Sequence, residues 1–200
     1  AIAYASFWIV WAVRINATSR FASITYGVTS ALILSPMLWE STVRFQVLSP
    51  AFAAAVTVAF TVLTIALAWR RDLQLLPWVA TLASVITALA LIIETHDLVP
   101  LTAALLAVAL VTEAAACLGH RLTLRAIPAL AADFAVWLLV FILASETTPE
   151  GYHPAAGATI ATLCSLLLAI YVASVLVRSF VLRHPITIFE IGQAVIAFGL

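Results

Sequence analysis

The sequence predicts an all-α, polytopic transmembrane bundle of about eight spans, built as up-down hairpins. Three observations predict it. Of the 200 residues, 65% are apolar and 9% charged, with a mean hydropathy of +1.18. Soluble domains carry about a quarter charged residues. A water-soluble chain of this composition would lack polar groups to cover its surface, and lipid is the solvent that fits. The second observation is a series of apolar runs near the ~20 residues a helix needs to cross the hydrocarbon core. The third is an arginine count that alternates from turn to turn.

In order, Ala1–Val13 is apolar, carries Trp8 and Trp11 and ends at Arg14. Its turn, Arg14 to Arg20, holds an Asn16-Ala17-Thr18 sequon that the topology places on the cytoplasmic side, so it reads as chance. The second span is Phe21–Trp39, with Pro36 in its last turn as a kink or stop. Glu40–Ser49 reads as a longer, nearly neutral link. Pro50–Trp69 is the third span, followed by Arg70-Arg71-Asp72, and the fourth runs from near Leu75 or Pro77 to Ile93. Pro100–Gly119 is the fifth and Pro128–Ser145 the sixth; Pro154–Val177 is the seventh, and Pro185–Leu200 begins the eighth. The runs do not alternate and are about twice the length of a barrel strand, which argues against a β-barrel. Little polar striping argues against surface helices.

Proline placement supports the segmentation. Pro50, Pro77, Pro100, Pro128, Pro154 and Pro185 each sit where a span would begin. There the missing N–H has no helical partner to lose, and the fixed φ suits a first turn. Because Ala1–Val13 and Phe189–Leu200 are shorter than a crossing, residues 1–200 are expected to be one transmembrane region from a longer membrane protein, its first and last spans truncated.

Orientation follows from the arginines. Arg14/Arg20, Arg70/Arg71, Arg121/Arg125 and Arg178/Arg183 fall in alternate turns and account for eight of the nine basic residues. The opposite turns hold Arg44 with Glu40, Glu94, Asp97, Glu146 and Glu150. By the positive-inside rule the arginine turns are cytoplasmic. The bias of Arg over Lys, with abundant Ala, suggests a GC-rich bacterial genome and hence the inner membrane. Arg14, Arg71, Arg121 and Arg178 are spaced by 57, 50 and 57 residues, the signature of a repeated helical hairpin or simply of short loops in an up-down bundle.

Function is less legible. No basic surface invites nucleic acid, and there is no HExxH, phosphate loop or GxSxG. Cys117 and Cys164 lie in apolar runs without a CxxC and read as small apolar residues. No cofactor or metal is expected; the outward Glu94, His96, Asp97, Glu146, Glu150 and His153 match no ligand frame. The expected partners are the lipid bilayer and further transmembrane helices of the same parent chain.

The candidate site is an intramembrane polar cluster: Glu113, Asp133, Glu190 and Gln193. Glu113 precedes Gly119 by six residues, and Asp133 and Glu190 each follow a helix-starting proline by five. All three acids therefore lie roughly 7–9 Å in from the cytoplasmic helix ends. An ionisable group inside a span costs about 2.5–3.5 kcal/mol on insertion scales, so a function is a legitimate default. Arg121, Arg125 and Arg183 stand at the mouth as possible ion-pair partners, flanked by His120 and His184. The alternative is structural: an acid tied to a turn arginine locks a hairpin and does nothing else.

The Arg-turn hairpins, Leu130-Ala-Ala-Asp133-Phe-Ala-Val-Trp137, Pro149-Glu-Gly-Tyr152 and Ile186-Thr-Ile-Phe189-Glu190 resemble a family of large many-span bacterial membrane proteins bearing a domain of unknown function. The resemblance implies a longer parent with spans on both sides and brings no activity with it. Three readings follow: a non-enzymatic part of a multi-span scaffold, which comes first; a proton- or cation-coupled transporter using Glu113, Asp133 and Glu190; and an intramembrane transferase on a lipid-linked substrate, with its acid near Asp97 or Glu150.

Overall fold

The computed structural model describes residues 2–15, 20–69, 75–117, 125–144, 151–152, 155–181 and 188–199. Among them the secondary structure is helical, with no strand. The helices are α1 (Ile2–Ile15), α2 (Arg20–Trp39), α3 (Pro50–Trp69), α4 (Leu75–Thr95), α5 (Leu98–Cys117), α6 (Ala126–Ala144), α7 (Gly157–Leu176) and α8 (Ile188–Gly199). A π-helical turn continues α2 through Glu40–Arg44, and another continues α7 through Val177–Val181. Among the described residues, five stretches are long and apolar enough to cross a membrane: Phe21–Arg44, Pro50–Trp69, Leu75–Thr95, Leu98–Cys117 and Gly157–Phe180. Ile2–Ala12 and Ala126–Ile142 are apolar but shorter. An all-helical membrane bundle fits; of about eight expected spans, five are candidates by length and composition.

The boundaries differ from expectation in two ways. Pro36 lies inside α2 and does not stop it, because the π-helical turn carries the helix on to Arg44. The link after the second span is correspondingly shorter than the sequence implied. Pro50 opens α3, but Pro77, Pro100 and Pro128 are the third residues of α4, α5 and α6. The first four N–H groups of a helix lack intrahelical acceptors, so proline is as harmless at the third position as at the first. Pro154 and Pro185 lie outside the described residues.

The chain divides into two compact units, Ala1–Thr95 and His96–Leu200. In the first, α1 packs on α2 and α3, and α4 packs on α2 and α3. In the second, α5 packs on α6 and α7, and α8 packs on α7 and α6. Each unit therefore pairs first helix with second, third with fourth, first with third and second with fourth.

Small and hydroxylic side chains make the first unit's contacts, as expected where lipid offers no hydrophobic drive for helix association. On α3 the buried stripe includes Ala53, Thr57, Phe60, Thr61, Thr64 and Ala68. Thr57, Thr61 and Thr64 donate to the carbonyls one turn back, of Ala53, Thr57 and Phe60, at 2.8, 3.1 and 2.8 Å. The Thr61 hydroxyl also meets Ser84 Oγ of α4 at 2.7 Å. With Thr61 donating to its own helix, Ser84 donates across. Ser30 of α2 donates to the Ala5 carbonyl of α1 at 2.7 Å, and Trp8 stacks on Tyr26 with centroids 5.1 Å apart. A Cβ on Gly27 would overlap the Leu76 side chain, so glycine permits the α2–α4 approach.

In the second unit α6 is cleanly two-faced. Ala129, Ala132, Asp133, Val136 and Leu139 are buried, while Leu130, Phe134, Trp137 and Phe141 are exposed. Positions 130, 134, 137 and 141 recur at helical spacing, and Trp137 and Phe141 stack at 5.3 Å. Such a face suits lipid. On α7, Leu163, Leu167, Ile170, Tyr171 and Ser174 form the buried stripe, with the polar pair Tyr171 and Ser174 one turn apart at one end.

Candidate functional site

The second unit buries two carboxylates, and their surroundings are opposite. Glu113 of α5 is 4% exposed and Asp133 of α6 is 5% exposed. Glu113 is partnered. Ser174 of α7 donates its hydroxyl to Glu113 Oε2 at 2.7 Å, and Arg125 Nη1 lies 3.5 Å from the same oxygen. Arg125 stands at the start of α6, so the acid joins α5 to both α6 and α7. A charge-assisted bond and a guanidinium together offset the desolvation of the carboxylate.

Asp133 has no such support. Neither Oδ1 nor Oδ2 has a hydrogen-bond partner among the described residues. The eight residues separating it from Arg125 place it roughly 12 Å further along the helix axis, which is why the guanidinium serves Glu113. Its neighbours are the side chains of Gln193 and Tyr171. Gln193 of α8 is 3% exposed, and its Oε1 is also unpartnered. Tyr171 has both acids in its surroundings, yet its hydroxyl donates to the Ala129 carbonyl at 3.2 Å, one turn before Asp133 on α6. Three buried acceptor oxygens thus lie without a formed hydrogen bond among the described residues, although the Tyr171 hydroxyl and the Gln193 amide, both able to donate, stand beside Asp133. Buried polar groups are ordinarily paired, and acceptors facing acceptors repel.

Of the residues singled out from sequence, Glu113, Asp133, Gln193 and Arg125 fall within the second unit's buried polar region. Glu190 lies in the first turn of α8, and its side chain is outside the described residues, as are Arg121, Arg183, His120 and His184. Tyr171 and Ser174 were missed. Both looked like ordinary span residues, although their spacing of three, on the stripe set by Leu163 and Leu167, marks one face.

At the other end of this unit, His96 adopts φ 54° and meets Tyr152 edge-on at 4.7 Å, beside Gly151 at φ 96°. Glu94 is exposed, and Glu146, Glu150 and His153 lie outside the described residues. Cys117 and Cys164 are each partly buried and are not joined in a disulfide.

No protein-family model, curated protein or solved structure matches the chain.

Proposed function

We propose that this chain is an integral protein of the bacterial inner membrane with about eight crossings and its arginine-bearing turns in the cytoplasm. Its second unit carries the binding site of a proton- or cation-coupled transporter. Asp133 and Gln193 are the binding groups, Tyr171 is the adjoining donor, and Glu113 with Arg125 and Ser174 is the tie that holds the helices around them. The reading is non-enzymatic.

The observation that supports it is the orphaned trio of acceptors, Asp133 Oδ1, Asp133 Oδ2 and Gln193 Oε1. Intramembrane ionisable groups ordinarily pair with one another or line a pathway. Here one acid is paired and the other is left for a positive ligand. The test is flux of protons and of monovalent cations in proteoliposomes. Asp133→Asn and Gln193→Leu are expected to abolish coupled flux, while Glu113→Gln lowers the yield of folded protein. Flux that survives Asp133→Asn unchanged rejects the reading.

A second reading, the non-enzymatic scaffold within a longer many-span parent, is favoured by the Glu113 tie, which joins three helices and leaves nothing for a ligand. It predicts that all three substitutions move stability and none moves a transport readout.

A further inference from the structure

Resting on the transporter reading, we infer that the ligand of the Asp133 site is a proton and that Tyr171 and Gln193 form a two-position hydrogen-bond switch around it. Asp133 and Gln193 are each more than nine-tenths buried, each carries unpartnered oxygen, and they come from different helices, α6 and α8.

Coordination number selects the ligand. A divalent cation such as Ca²⁺ asks for six to eight oxygens and Mg²⁺ for a near-octahedral shell, and alkali ions likewise shed several waters only for several carbonyls or carboxylates. Among the described residues this place offers three free oxygens on two side chains. Tyr171 Oη and the Ala129 carbonyl are engaged with each other. A proton needs only two oxygens, one to carry it and one to accept from it.

Among the described residues, the charged and titratable groups around Asp133 are few. From α5 comes Glu113, already held by Ser174 and Arg125. From α7 comes Tyr171, and Arg125, just before α6, lies about two helical turns away along the chain. From α8 comes the neutral Gln193, while Glu190 is known only by its place in the first turn of that helix.

The two positions follow from donor and acceptor inventories. When Asp133 takes a proton from hydronium, an O–H bond forms on one carboxyl oxygen and water leaves. That O–H donates to Gln193 Oε1, which satisfies two of the three orphaned acceptors. Tyr171 then donates to the Ala129 carbonyl, the arrangement present here. When the proton returns to water, the carboxylate has no donor of its own. The Gln193 amide turns end for end to present its NH₂, and the Tyr171 hydroxyl swings from the Ala129 carbonyl to Asp133, its own O–H bond intact. Protonation thereby alters how α7 and α8 are tied to α6.

Infrared difference spectroscopy of the protein in lipid nanodiscs, acid minus neutral buffer, tests this. The expected result is a protonated-carboxyl C=O band that disappears in Asp133→Asn. In Gln193→Leu, where Asp133 remains but its acceptor is gone, the band moves to higher frequency. A tyrosine band changes in step and is absent in Tyr171→Phe. Sodium or potassium chloride added at constant pH leaves all of these unmoved. An Asp133-dependent change driven by sodium or potassium instead of pH overturns the proton assignment while leaving a coupled transporter intact. No Asp133-dependent band on acidification, or a band indifferent to Gln193→Leu, overturns the switch. Should flux in proteoliposomes fail while the band behaves as expected, transport is rejected and the proton site stands.

Discussion

The first unit buries hydroxyls and the second buries charge. In Ala1–Thr95 the interior polar groups include Thr57, Thr61, Thr64 and Ser84, whose bonds run back to their own helix or to one facing hydroxyl. Each of these four brings its own donor and closes locally, while Trp8 Nε1 and the Thr42 and Thr81 hydroxyls of the same unit have no partner among the described residues. In His96–Leu200 the interior holds Glu113, Asp133, Tyr171 and Gln193. Carboxylates bring acceptors without donors. One is answered by Ser174 and Arg125, and the other is not. What sets the Asp133 place apart is that its unanswered groups are acceptors, one of them a carboxylate, brought together from two helices.

Arg125→Ala gives the largest effect because it leaves a buried carboxylate short of its cation. Removing one partner of a buried pair costs about 3–5 kcal/mol. Unfolding in bicelles is expected to show a loss of that order, with much of it recovered in Arg125→Ala/Glu113→Gln. A loss below ~1 kcal/mol would put Glu113 in the same class as Asp133 and erase the contrast. Next is Gly27→Ala in the first unit, where a new Cβ meets Leu76. Overpacking costs about 1–3 kcal/mol, and Gly27→Ala/Leu76→Ala should recover part of it, as a double-mutant cycle on unfolding would reveal.

Smaller still is the Thr61–Ser84 bond. Interhelical hydrogen bonds in membranes average about 0.6 kcal/mol, and a cycle of Thr61→Val with Ser84→Ala is expected to return a coupling of that size. A coupling several times larger would mean that hydroxyl pairs, not the carboxylate tie, dominate helix association. Smallest in stability is Asp133→Asn, predicted within about 1 kcal/mol of the parent or above it. It removes a buried group without satisfied bonds and supplies an NH₂ that Gln193 Oε1 can accept. The contrast sharpens if Arg125→Ala is costly and Asp133→Asn is not.

Much of this was legible beforehand. Runs of membrane length gave the helices, since a 20-residue apolar stretch leaves the backbone no partner but itself. Starts were displaced by two residues at Pro100 and Pro128, and α4 opens at Leu75, the earlier of the two starts expected for it, because the first turn tolerates proline at several positions. Glu113, Asp133 and Gln193 were visible as polar residues inside apolar runs. Their division into paired and unpaired was not. Equal depth from the helix ends made the acids look alike, whereas the partner each receives depends on which helices pack beside it. Arg125 reaches Glu113 through the α5–α6 contact, while Asp133 meets α8 through Gln193. Tyr171 and Ser174 stayed hidden because a tyrosine and a serine in a span carry no signal until the facing acids are known.

The most direct measurement exploits composition, because the chain has three aspartates, Asp72, Asp97 and Asp133. Carboxyl-¹³C-aspartate labelling in lipid gives three signals, and Asp133→Asn identifies the buried one by its loss. A proton site predicts that this signal takes the chemical shift of a protonated carboxyl, moves when Gln193 becomes Leu, and ignores sodium and potassium. An Asp133 signal that keeps the carboxylate shift through the acid range, indifferent to Gln193→Leu, would contradict it.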